Sequence, residues 1–241
     1  MMKSYLLLAL PFLLLACQPS PPANEATTTP ETATPPEVEV PAADRFEAEI
    51  VAFEQADRQG DTLRSGVLFT GSSSIRMWKS LREDMTGFRV LNRGFGGATI
   101  PEVLRYSDRY LFVHQPQVIV FYCGENDIAE GASPEQVYGR FKVFAELVAE
   151  RLPDTKLLYL SMKPSPERWA MWDQFQRGDQ LIRAYINDYP QIDYLSTAKT
   201  MLDEEGSVKA DIFIEDGLHL NAKGYAAWTA QIRPLLTKYL E

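Results

Sequence analysis

Histidine and cysteine are scarce in this chain of 241 residues, which has two of each: His114, His219, Cys17 and Cys123. A zinc site built on Cys and His needs a clustered ligand set. These four residues are scattered along the chain, so no metal is expected. Two cysteines also cannot form the disulfide framework that staples small secreted domains. Basic residues are outnumbered, with 24 Lys and Arg against 33 Asp and Glu and a formal net charge of −9. Such a balance excludes nucleic acid and other polyanions as main partners. No apolar run reaches the roughly 20 residues an α-helix needs to cross a bilayer. There is no internal repeat, and composition shifts once, near residue 44.

The stretch before that shift has two parts. "MMKSYLLLALPFLLLACQPS" carries one positive charge at Lys3, then an apolar run from Tyr5 to Ala16, then Cys17. A charged start, a short apolar core and a small residue before the cut are the layout of a secretory signal. Leu14-Leu15-Ala16-Cys17 resembles the lipobox at which bacteria cut before a cysteine and attach lipid to it. The reading is a signal peptide over residues 1–16 and lipidation at Cys17. From Gln18 to about Ala43 the chain is rich in Pro, Thr, Ala and Glu and has no aromatic residue. It cannot bury enough apolar surface to offset its ordering entropy, and its prolines favour extended conformations. Residues 17–43 are therefore expected to be a disordered tether. The resemblance to bacterial lipoproteins, with Gln18 rather than Asp after the cysteine, implies a place in the cell envelope, anchored to the outer membrane of a Gram-negative bacterium by lipid on Cys17. A lipidated Cys17 leaves Cys123 without a disulfide partner. Cys123 ends an apolar run and reads as a small buried hydrophobe.

Residues 44–241 are the length of one large domain. Short, nearly continuous apolar runs mark strands at Val67–Thr70, Phe88–Asn92, Val118–Cys123, Lys156–Ser161 and Ile192–Ser196; such runs suit parallel strands buried on both faces. Amphipathic stretches between them mark helices. One precedes the first strand, ending "EQADRQ". Others begin at Pro101, at Pro134 with Ser133 as N-cap, at Glu167 and at Asn221, and Pro234 is expected to kink or restart the last. Five alternations of strand and helix predict an α/β three-layer sandwich around a five-stranded parallel sheet. In such sheets ligands bind at the carboxyl ends of the strands. The segments placed there are "GSSSIR", "NRGFGGAT" and "GENDIAEG", and "EDGLHLN" precedes the final helix.

Three serines in a row, Ser72 to Ser74, are either a helix cap or the site of a nucleophile. The four segments together resemble the SGNH (GDSL-type) esterase family: a Ser after the first strand ("GSS"), a Gly after the second ("GFGG"), an Asn after the third ("GEND"), and Asp-x-x-His before the last helix ("DGLH"). The family's usual G-D-S is here Gly71-Ser72-Ser73, with Ser72 in the Asp position. The resemblance implies a flavodoxin-like hydrolase fold and no cofactor. Counted from Gly71, it implies Ser73 as nucleophile, with Ser74 as the rival. It implies His219 as general base and Asp216 as its orienting carboxylate. It implies an oxyanion hole of the Ser73 N–H, the Gly97 N–H and the Asn126 side-chain amide. Asp127 is read as a brace for its loop, and His114 as a histidine favourably placed at a helix C-terminus. In "SMKPSPERWAMW", Trp169 is the candidate wall of a substrate pocket and Trp172 a core residue.

The implied activity is ester hydrolysis through an acyl-enzyme. The substrates expected are short-chain or acetyl esters, as small molecules or O-acetylated glycans of the cell envelope; no long insertion offers a lipase lid. Lysophospholipid or thioester hydrolysis is the alternative within the enzyme class. An inactive scaffold that binds acylated glycans is the alternative outside it, kept open by the missing Asp of G-D-S. Oligomeric state is not legible.

Overall fold

The five apolar runs form five parallel strands: β1 (Val67–Gly71), β2 (Val90–Gly94), β3 (Val118–Tyr122), β4 (Lys156–Leu160) and β5 (Ile192–Leu195). Their order across the sheet is β2-β1-β3-β4-β5. The computed structural model describes residues 45–241; the expected signal peptide, the lipid on Cys17 and the tether lie outside them. Side chains alternate between the two faces of each strand. Leu68, Ile119, Phe121, Leu157 and Tyr159 enter one core, and Val67, Phe69, Val118, Val120, Leu158 and Leu160 enter the other. Burial on both faces is why the strands read as unbroken apolar runs rather than alternating ones.

Helices α1 (Glu47–Arg58), α4 (Ile100–Tyr110), α6 (Pro134–Arg151) and α7 (Trp172–Ile186) cover the first face. The second carries α2 (Ser73–Arg76), α3 (Leu81–Asp84), α8 (Ala198–Met201) and α9 (Ala222–Leu240). Helix α5 (Glu125–Ala129) follows β3 directly. Helix α6 shows how the sequence builds an element. The Ser133 hydroxyl accepts the Gln136 N–H at 3.2 Å, while the Gln136 side chain accepts the Ser133 N–H at 2.8 Å, a reciprocal cap. Val137, Phe141, Phe144 and Val148 then fall on one buried stripe, and Phe144 stacks on Phe121 of β3 at 4.1 Å between ring centroids.

Three expectations are corrected. Helix α9 continues through Pro234 without restarting, because Trp228, Ile232 and Leu236 on either side of it are buried in the second core. The helix expected from Glu167 begins at Trp172, preceded by a 3-10 turn over Trp169–Met171; Glu167 lies in a turn instead, its N–H donating to the Gly217 carbonyl at 3.1 Å. His114 does not sit at a helix terminus. It lies past the end of α4, buried, where its Nδ1 accepts the Leu63 N–H at 3.3 Å and its Nε2 is 3.5 Å from an Asp57 carboxylate oxygen. Burial holds its pKa below the ordinary value. Among the described residues, no helix is long and apolar enough to cross a membrane.

Candidate active site

The chain leaves β1 through a backbone position that only glycine can take. Gly71 has φ +122°, and a Cβ there would stand 1.9 Å from the carbonyl oxygen of Tyr122 on β3. The next residue is tied to the same carbonyl, since the Ser72 N–H donates to Tyr122 O at 2.9 Å. Ser72 and Ser74 are buried, whereas Ser73 is partly exposed. Ser72 holds the N-cap position of α2, but its hydroxyl makes no capping bond; its carbonyl instead accepts the Ile75 and Arg76 N–H groups. The neighbouring serines therefore pack without side-chain capping, contrary to the capping role expected of them. The Tyr225 hydroxyl of α9 donates to the Ser74 carbonyl at 2.9 Å, tying the turn to the last helix.

The opposite wall comes from the segment before α9. Phe213 and Leu220 pair as an antiparallel bridge, the Ile214 N–H donates to His219 O, and Gly217 turns the chain at φ +62°. This small hairpin brings Asp216 and His219 together. One Asp216 oxygen accepts the backbone N–H groups of Leu218 (2.8 Å) and His219 (2.9 Å), and the other lies 2.6 Å from His219 Nδ1. His219 Nε2 is 2.8 Å from Ser73 Oγ. What burial the Asp216 carboxyl has works to raise its pKa. The bonds from the His219 backbone and ring and from Leu218 outweigh it and hold the value down at about 2.

Gly71 is paired with Gly94 of β2 and with Tyr122 of β3. The segments carrying Ser73, Gly97 and Asn126 therefore leave three adjacent strands at one level. Ser73 and Gly97 donate their backbone N–H groups to no protein acceptor among the described residues. Gly97 has φ +74° with open space where a Cβ would stand, and its carbonyl accepts from Arg45 at 3.2 Å. Asn126 Nδ2 donates to Ala98 O at 2.9 Å, which uses one of its two N–H bonds. Asp127 is the brace expected: its carboxylate accepts the Ile100 N–H and a bond from Arg140 at 2.9 Å. Burial raises its pKa to about 6 against the pull of Arg140. Helix α2 is a single turn, so its dipole at Ser73 is small, and individual N–H groups are the donors there. Cys123 is buried, with its thiol donating to Ala98 O. Among the described residues, no group of three or more His, Cys, Asp or Glu is placed to hold a metal ion.

The sequence model of the GDSL-like lipase/acylhydrolase family matches residues 56–227. The chain belongs to this family. It is 28% identical over 180 residues to the platelet-activating factor acetylhydrolase IB subunit alpha1 of Pongo abelii, covering 72% of this chain and 76% of that one. Among solved structures, a GDSL-like lipase from Bacteroides thetaiotaomicron superposes with a TM-score of 0.60 at 24% identity, covering 80% of this chain and 96% of that one. A mutant of Axe2, a Geobacillus acetyl-xylooligosaccharide esterase, superposes with a TM-score of 0.60 at 10% identity, over 73% and 94% of the two chains. The fold is that of these hydrolases, and the protein is an acylhydrolase of the GDSL-like family.

Around this GDSL-like site the segment after β4 holds Trp169 and Trp172, both weighed from the sequence, and Arg168 and Lys163, which the sequence reading passed over. Trp169 is 43% exposed and stacks on the partly buried Trp172 at 6.1 Å and 14°. Trp172 packs on the core as expected, while the ring contact of Trp169 is with Trp172 rather than with the Ser73–His219 pair. Next to Trp169, Arg168 donates to Asn126 Oδ1 at 2.9 Å and lies 3.5 Å from Glu125. Lys163 is buried with its Nζ 2.9 Å from Glu125. Burial holds the Lys163 amine below its ordinary pKa, against the raising effect of Glu125. The signal in the sequence was a lysine placed directly after an apolar strand, in "YLSMK".

Proposed function

We propose that the protein hydrolyses short-chain esters, acetyl esters first, through an acyl-enzyme on Ser73. The observation that carries this reading is the hydrogen-bonded chain from Ser73 Oγ to His219 (2.8 Å) to the ionised Asp216 (2.6 Å) at the carboxyl end of the sheet. As Oγ attacks the ester carbonyl carbon, His219 Nε2 takes its proton and Asp216 stabilises the imidazolium. The carbonyl oxygen gains the negative charge and meets three donors: the N–H groups of Ser73 and Gly97 and the uncommitted N–H of Asn126. Each such donor is worth roughly 10²–10³ in kcat. The C–O bond then breaks, His219 gives its proton to the leaving alcohol, and the acyl group stays on Ser73. Water adds by the same route with His219 as base, releasing the carboxylic acid and restoring Ser73.

The acetyl preference draws on the relatives, one named an acetylhydrolase and one an acetyl-xylooligosaccharide esterase. The exposed Trp169, one residue from the Arg168 that touches Asn126, offers a flat apolar face on which the sugar ring of an O-acetylated glycan can lie. The test is turnover of p-nitrophenyl esters of graded acyl length by the full chain, with acetate release from an O-acetylated polysaccharide as a second arm. The reading expects kcat/KM to be highest for acetate and to fall with chain length. Fastest turnover of the longest acyl group would contradict the short-chain assignment, and no turnover of any ester would contradict the acyl-enzyme.

A further inference from the structure

A side-chain amide serves as an oxyanion donor only if its NH2 end, not its oxygen, faces the substrate. The two ends are nearly the same shape, so something must choose between them. Here two contacts choose. On one side the amide meets the Ala98 carbonyl at 2.9 Å, which accepts only from Nδ2. On the other it meets the Arg168 guanidinium at 2.9 Å, which donates only to Oδ1. Turning the amide over would set oxygen against oxygen and N–H against N–H. Both contacts would then be repulsive.

Arg168 is itself held. Its guanidinium reaches Glu125, the residue before Asn126, at 3.5 Å. Glu125 is buried and fastened from the other side by Lys163, whose backbone N–H donates to one carboxylate oxygen at 3.0 Å and whose Nζ donates to the other at 2.9 Å. Lys163 is only 1% exposed, and its Nζ also contacts the Tyr122 hydroxyl of β3 at 3.3 Å. Lys163 already reaches both carboxylate oxygens of Glu125, so the Arg168 contact at 3.5 Å is a second, longer one, and the shorter bond of the guanidinium is to Asn126. A planar fork that contacts the carboxylate and the amide oxygen at once is a task suited to arginine.

We propose that Arg168 is the positioning residue of the oxyanion hole: anchored through Glu125 and Lys163, it fixes the Asn126 amide with its free N–H toward the reacting carbonyl. This rests on the donor role of Asn126 proposed above. The experiment is a kinetic double-mutant cycle on the full-length protein with p-nitrophenyl acetate, using Arg168→Ala, Asn126→Ala and the double variant, with thermal unfolding to confirm that each is folded. Arg168→Ala is expected to lower kcat about 10- to 100-fold with KM nearly unchanged, since misplacing one preorganised donor forfeits much of its effect. In the Asn126→Ala background the same substitution is expected to change kcat less than about threefold, because residues that act as a unit are not additive. If Arg168→Ala does not fold, Arg168→Lys, which keeps a charge beside Glu125, carries the same cycle. Equal losses in both backgrounds would overturn the proposal by showing that Arg168 acts independently of Asn126. A raised KM with kcat intact would overturn it by making Arg168 a substrate-binding group. An unchanged kcat in Asn126→Ala alone would refute the donor reading on which the proposal stands, and would be visible before Arg168 is touched.

Discussion

Of the three adjacent serines, only Ser73 combines partial exposure with a histidine 2.8 Å away. Counting from Gly71 at the end of β1 pointed to it over Ser74, because the position of that strand end follows from the apolar run before it. Arg168 was not legible. It lies 42 residues from Asn126 in the chain, and nothing local distinguishes it from a solvated surface arginine. Asp216 allows a test at this scale. Its folded pKa of about 2 lies below the ordinary 3.8, so its ionised form contributes stability that is fully present above about pH 4–5 and lost as pH falls through about 2. The carboxylate is 42% exposed, so solvent screens the effect and it is small. Asn in its place does not titrate. Between about pH 5 and pH 3, below the range in which an imidazole titrates, the Tm difference between the wild type and Asp216→Asn should change against the wild type. A difference that shifts in favour of the wild type over that acid range would contradict the hydrogen-bond account of this carboxylate.

Element by element, long periodic segments were readable and short ones were not. Helix α6 followed from its Ser133 cap and its apolar stripe. Helices α2, α3, α5 and α8, at four or five residues each, are too short to show a 3.6-residue period. The hairpin that carries Asp216 and His219 was visible only as the Asp-x-x-His motif before the last helix; its bridge between Phe213 and Leu220 has no sequence signature. The exit from β1 makes the strongest demand on a single element. Gly71→Ala would put a Cβ into the Tyr122 carbonyl at a φ of +122°. Backbone strain alone costs about 1–3 kcal/mol, and relieving the clash must part β1 from β3 or shift Ser73. A loss of at least that much in urea-denaturation stability, together with a fall in esterase activity, is expected. A variant as stable and active as the wild type would mean that this turn is less constrained than its geometry states.

For the whole molecule, five strand–helix alternations were legible in the apolar pattern, whereas the order β2-β1-β3-β4-β5 was implied only through the resemblance to a flavodoxin-like hydrolase fold, since it is set by which helix packs on which face. That order gives the site its place. The chain winds from β1 to β2 on one side and crosses to β3 on the other, so the loops after β1 and β3 diverge at the topological switch point, where open α/β sheets bind their ligands. Ser73 and Asn126 stand at the two sides of that opening. The readings on residues 1–43 concern chain outside the described residues and rest on sequence alone. The central claim is that Ser73, positioned by this topology and activated by His219, carries the acyl group. Its most direct test is to label the protein with a fluorophosphonate and locate the adduct by peptide mass spectrometry, with Ser73→Ala, Ser72→Ala and Ser74→Ala in parallel. The account predicts a single adduct on Ser73, abolished in Ser73→Ala and kept in the other two; an adduct on Ser74, or none on any of the three serines, would contradict it.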